Sequence, residues 1–235
     1  MKLTPALPIL TALGIAVLLL LPADLRAAQS VDLSDMATSC LETPLDDCKV
    51  FSAGYLNTAN FDDRDGAPFL AWQTQLGSTP TDGIIGGFVL FQHDGTGWSV
   101  LDTGFDGFFD VPRLNQEGLL HVPGYSQGTG SFNTDRLYQW GDLGAAAPRE
   151  GWSKIEMDQW LNEVGSLLPA GLEIWKGVEY DFSHPYSGLV ARTPLWRSDD
   201  ANCCGTGGSA VIRLDIVDGG LVATGVAYTP PGKTK

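Results

Sequence analysis

Asp62, Asp63 and Asp65, with Asn60 beside them, could turn several oxygen atoms of one short turn toward a hard cation, which makes calcium the one cofactor the residues suggest. The glutamate that closes an EF-hand loop is missing, so a solvated polar turn is the competing reading. A second polar cluster, Asp199 and Asp200 with Asn202, directly precedes Cys203 and Cys204, and Asp181 and His184 occupy the turn before it. Two carboxyl groups held about 5 to 9.5 Å apart across a groove can hydrolyse a glycosidic bond. Asp181, His184, Asp199 and Asp200 are therefore the candidate catalytic residues. The chain has 28 acidic residues, so neighbouring carboxylates also arise with no catalytic purpose.

The cysteines form two close pairs. Cys40 and Cys48 bracket a segment whose Pro44, Asp46 and Asp47 suit a tight loop, while Cys203 and Cys204 are adjacent. Of the three possible connectivities, the short loop favours Cys40 with Cys48, at about 2 to 3 kcal/mol of stabilisation, which leaves Cys203 with Cys204. A bond between neighbouring cysteines closes an eight-membered ring and twists the peptide between them. Asn202, Gly205, Gly207 and Gly208 supply the pliable surround it needs. The functional reading of this pair is a redox-labile or soft-metal site. The plain alternatives are a rigid turn, or crossed bridges to Cys40 and Cys48.

Other chemistries find little support. His93, His121 and His184 are widely separated and lack metal-ligand spacing, so each reads as a surface or core-edge histidine. Gly124 and Ser126 lack the second glycine of a nucleophile elbow, and the glycines at 205–208 open a strand without the lysine of a phosphate loop. Seven tryptophans, at 72, 98, 140, 152, 160, 175 and 196, are a richer signal. Core packing accounts for each singly, but so aromatic a domain tends to leave a ring or two in a groove, where it can stack on a glycan or anchor a protein. Binding is thus favoured over catalysis.

The residues ahead of these candidates set their compartment. Lys2, followed by thirteen uncharged and largely apolar residues from Ile9 to Leu21, has the form of a secretory signal peptide and falls short of the about 20 residues of a spanning helix. Residues 1–28 are assigned to that signal, and the remainder is expected in the periplasm or outside the cell, free of the membrane. An oxidising destination licenses the disulfides. Removing Lys2, Arg26 and Asp24 from 14 basic and 28 acidic residues leaves 12 and 27, a formal charge of −15. Such a surface repels nucleic acid and anionic lipid, and if charge steers any partner, that partner is a cation or a basic envelope protein.

Residues 29–49 are polar and irregular, holding the cysteine loop and a helical turn near Asp35–Cys40, and 50–235 form a β-rich domain. There, runs of Val, Ile, Leu and aromatics alternate with Gly, Asp and Asn clusters, the pattern of antiparallel strands and turns. The spacing predicts hairpins from Gly87–His93 into Trp98–Leu101, from Asp135–Trp140 into Gly151–Glu156, and from Ser209–Val217 into Leu221–Tyr228. A fourth joins Leu172–Tyr180 to Gly188–Trp196. One helix is predicted over Asp158–Leu168, capped by Asp158 and presenting Trp160, Leu161, Val164, Leu167 and Leu168 as one apolar stripe. The fold class is all-β with one short helix, an antiparallel hairpin meander arranged as a partial β-propeller or an open sheet.

At Ala59–Leu70, where Phe61, the acidic turn and Gly66 precede Phe69 and Leu70, the chain resembles the aspartate-rich turn of FG-GAP and VCBS-type repeat proteins, with one extra residue before Gly66. A second copy at Val111–Val122 keeps the glycine before a strand and has lost most carboxylates. The resemblance implies an exported bacterial β-repeat protein with propeller blades and calcium in the turn, and it implies no activity. Three functions follow as expectations: a non-enzymatic exported binding module first, a carboxylate-dependent hydrolase second, and a calcium- or redox-responsive structural protein third.

Overall fold

The computed structural model describes residues 30–56, 69–126, 132–142, 150–183 and 188–232. The assigned signal segment, the Asp62, Asp63 and Asp65 turn, and His184 lie outside the described residues.

The first sheet is a meander of β1 (Asp46–Leu56), β2 (Leu70–Thr79), β3 (Gly83–His93) and β4 (Trp98–Gly104). A two-stranded ribbon of β5 (Phe108–Phe109) and β8 (Gly124–Tyr125) flanks it. The second sheet takes β6 (Arg113–Leu114), β7 (Leu119–Val122), β9 (Arg136–Asp142) and β10 (Glu150–Ile155), and the third β11 (Glu179–Asp181), β12 (Leu189–Pro194), β13 (Ser209–Val217) and β14 (Gly220–Thr229). One short helix, α1 (Gln159–Val164), connects the second sheet to the third. Among the described residues the named strands all pair antiparallel, as the alternating pattern predicts, with one parallel bridge between Glu156 and Gly220, and the three four-stranded meanders pack face to face without closing into a barrel.

Period-2 alternation decides which face each residue joins. Leu120, Val122, Tyr138 and Trp152 of the second sheet point at Leu70, Trp72, Phe88 and Leu90 of the first. Their neighbours Leu119, Leu137 and Ile155 point the other way, at Ala191, Ala210, Ile212 and Leu221 of the third. The second sheet is thus buried on both faces. The outer face of the first sheet, with Ala71, Val89 and Phe91, is covered by Leu33 and Met36 of the irregular N-terminal segment. That segment has backbone groups without a ladder, and two buried glutamines of β2 satisfy them. Gln73 Nε2 donates to Met36 O at 2.5 Å and Ser39 O at 3.0 Å, its Oε1 accepts Leu41 N at 2.9 Å, and Gln75 Nε2 donates to Leu41 O at 2.7 Å. The Cys40–Cys48 disulfide ties the same segment to the start of β1. β1 begins at Asp46, four residues before the boundary read from the sequence.

Three of the four expected hairpins form at full length. The β13–β14 turn has Asp218 at φ 50° and Gly219 at φ 79°, the two left-handed residues that a two-residue turn between twisted strands demands. At the β3–β4 turn only Gly95 is left-handed; Asp94 instead accepts the Thr96 and Gly97 N–H groups through its own carboxylate.

Two expectations are corrected. The strand expected over Leu172–Tyr180 is reduced to β11, plus a two-bond bridge between Glu173 and Trp196. Continuing the register that pairs Glu179 with Arg192 would set Gly177 against Pro194, which has no N–H, and Gly177 leaves the ladder at φ 69°. The helix stops at Val164, with a tighter bond from Leu167 N to Val164 O after it, so Trp160 and Val164 are buried while Leu161 and Leu167 face solvent. Asp158 holds the N-cap position without a side-chain cap, because its φ of −96° and ψ of −5° are helical, not extended.

Asp102 on β4 couples the first two sheets: its Oδ2 accepts Tyr138 Oη at 2.6 Å and Lys154 Nζ at 3.0 Å. Burial alone would raise the Asp102 pKa, but the Tyr138 hydroxyl, Lys154 and the Thr103 N–H outweigh it and hold it below the usual value. A carboxylate with a depressed folded pKa contributes stability above its unfolded pKa and loses it as the pH falls through the folded value. Asp102→Asn should therefore lower the melting temperature at pH 7 and flatten its fall below about pH 4, as read by thermal melts across pH. An acid limb as steep as that of the unaltered protein would refute the coupling.

Candidate functional site: an aromatic groove beside the cysteine pair

The irregular chain between Leu172 and Val178 places side chains a regular strand would have hidden. Ile174 packs against the core beneath, whereas Trp175 turns outward at 42% exposure, the one tryptophan among the large exposed apolar residues. Phe132, 45% exposed, meets it edge-on with ring centroids 6.3 Å apart, and Trp196 supports it from below at 6.1 Å. Lys176 is buried, with Nζ 4.4 Å above the Trp175 ring and 2.6 Å from Asn202 Oδ1. The Trp175 and Phe132 rings open onto a groove of about 350 Å³ that also takes in Asp158, Leu161 and Asn162 of the helical segment.

Asn133 fixes the groove floor. It acts as a surrogate strand residue, donating from Nδ2 to Val178 O at 2.6 Å and accepting Val178 N at 3.0 Å. The same Nδ2 donates to Asp135 Oδ2 at 2.9 Å, and Asp135 Oδ1 lies 2.7 Å from His121 Nε2. His121 is buried against Tyr180 and Phe182, not placed at the surface or core edge as expected from sequence. Burial pushes the Tyr180 phenol up, above its ordinary value. His121, Asp135 and Asn133 form a structural chain between the second and third sheets. The Ser183 hydroxyl donates to Asp181 Oδ1 at 2.7 Å.

The candidate carboxylates are dispersed. Asp181 stands opposite Val190 at the start of β12, bonded to Ser183 and 3.4 Å from Arg192, and the Ser183 hydroxyl leads in holding its pKa below the usual value. Asp200 lies six residues past Pro194, beyond the other end of β12 from the Val190 that faces Asp181. Its oxygens close a loop, accepting Arg197 N and Thr206 N at 2.7 Å and Thr206 Oγ1 at 2.6 Å, and Thr206 is the leading cause of its lowered pKa. Asp199 is exposed beside it. These hydrogen bonds hold the carboxyl pKa values of Asp181 and Asp200 below the usual value, the opposite direction from the raised pKa of a glycosidase general acid.

The chain matches no family model, no curated protein and no solved structure.

Both disulfides read from sequence are present, Cys40 with Cys48 and Cys203 with Cys204. Among the described residues no group of three or more His, Cys, Asp or Glu side chains is placed to hold a metal. Phe132, Lys176 and the amide of Asn133 carry no local sequence signal, since their roles come from partners 26 to 45 residues away. Trp175 stood among the seven tryptophans, and only its displacement from a ladder sets it apart.

Proposed function

We propose that this protein is an exported, non-enzymatic binding module of the periplasm or cell exterior that takes a glycan in the Trp175 groove. The carrying observation is the exposed Trp175 ring, braced by Phe132 and Trp196 and set in a groove with polar side chains at its rim. The apolar face of a pyranose stacks on such a ring while its hydroxyls need hydrogen-bonding partners at the edge, and Asn162 and Asp158 are placed to provide them. The net charge of −14 disfavours polyanions as the ligand.

Titration with cellohexaose, chitohexaose, xylohexaose and mannohexaose, followed by tryptophan fluorescence and calorimetry, tests the reading. At least one is expected to bind, and Trp175→Ala should weaken it by at least about 30-fold, the size of a central aromatic contact. Because Trp175 is half exposed, the melting temperature should barely move. Absence of binding across the series, or undiminished binding by Trp175→Ala, would overturn the proposal.

A further inference from the structure

We infer that the Cys203–Cys204 pair is a thiol–disulfide exchange site that sets the geometry of the Trp175 groove through Asn202 and Lys176. Both cysteines are exposed, so a dithiol reductant can reach them. The loop that carries them is pinned at its ends whatever their oxidation state. Asp200 bonds Arg197 and Thr206 across it, and Arg197 Nη1 donates to Thr206 Oγ1 at 2.6 Å. Gly205 is seated on Trp196 so closely that a Cβ there would lie 2.9 Å from the indole. On the other side of the cysteines Ala201 O accepts Cys204 N at 3.0 Å, a turn that carries Asn202 and that the eight-membered ring reinforces, so opening the ring slackens the turn at Asn202. Asn202 is the residue whose Oδ1 holds Lys176 Nζ over the Trp175 ring.

The exchange balances without further reactants. A thiolate of the dithiol attacks one cysteine sulfur, the S–S bond breaks, and the displaced cysteine leaves as a thiolate that takes a proton. The second thiol of the reductant then attacks the mixed disulfide, releasing the other cysteine as a thiol. Two electrons and two protons pass to the protein, and the reductant leaves as its own disulfide. In the oxidised protein Lys176 and Trp175 are held in one arrangement, which preorganises the groove; in the reduced protein that restraint is lost.

As control of ligand uptake this rests on the groove being the glycan site, so the test has an arm that needs no ligand. Iodide quenching of Trp175, taken as the difference between the unaltered protein and Trp175→Phe, is measured for the oxidised protein, for Cys203→Ser/Cys204→Ser, and for Asn202→Ala. Both variants leave Cys40–Cys48 intact. We expect greater quenching in both variants, and with cellohexaose or chitohexaose, whichever binds, an affinity at least about fivefold weaker. Dithiothreitol should reproduce the change in the unaltered protein and add nothing in the double serine variant. Changed quenching without binding of any oligosaccharide would uphold the exchange site and sink the glycan reading. Unchanged quenching in the double serine variant, or an effect of reduction that persists in full in Asn202→Ala, would overturn the inference.

Discussion

Replacing Trp160 with alanine is expected to destabilise the protein by about 3 to 5 kcal/mol, the range for removing a large buried aromatic residue. Trp160 has no exposed surface, and it sits where α1 meets the core shared by the second and third sheets. Its ring stands edge-on to Tyr180 at 6.3 Å, and Nε1 donates to the Tyr180 hydroxyl at 3.3 Å. The helix is only six residues long and has no side-chain cap, so its own hydrogen bonding cannot hold it. Trp160 and Val164 are its buried residues, and losing the larger leaves one anchor and a cavity. Urea unfolding followed by circular dichroism would read the loss as a lower midpoint. A change below about 1 kcal/mol would refute this, since it would mean that the core collapses to fill the cavity.

Asp135→Ala is the second large effect, expected to cost about 2 to 4 kcal/mol. The Asp135 carboxylate is buried and bridges the His121 imidazole to the Asn133 amide, so its removal strands two polar groups at once. Asn133 in turn holds the backbone of Val178, so the loss should extend to the groove floor. Asp135→Asn preserves shape and one acceptor, and should lose about half as much. The comparison of the two unfolding midpoints separates the polar network from simple packing. Equal losses would show that shape, and not the hydrogen bonds, carries the contribution.

Much of the architecture was legible because the sheets obey local rules. Asp218 and Gly219 announce their turn by their own backbone preferences, and the run before them alternates strictly, so β13 and β14 could be placed almost to the residue. The two disulfides followed from spacing. The helix was overextended because Leu161, Leu167 and Leu168 continue an apolar period that the third sheet has room to bury only in part. The strand expected over Leu172–Tyr180 failed for a nonlocal reason, the proline opposite Gly177. That failure is also what makes the candidate site, since Trp175 would otherwise have joined a regular face. The His121–Asp135 pair and the Asn133 clamp were illegible because nothing in a residue's neighbours along the chain tells which distant backbone it will meet.

The face-to-face stack has a consequence for how the domain's length is set. A closed ring of blades is finished by its own circumference, whereas an open row needs something to stop it at each end. Here one stop is the N-terminal segment, which Gln73 and Gln75 fasten over Ala71, Val89 and Phe91. The other is the far side of the last sheet, where Ser209, Arg213 and Asp215 interrupt the exposed valines Val211 and Val217 and leave no continuous apolar face to cover. Energetically the domain is a short one-dimensional array whose outer members communicate through a single shared neighbour. A lineage could lengthen or shorten such an array by inserting or deleting a blade between the two stops without redesigning either.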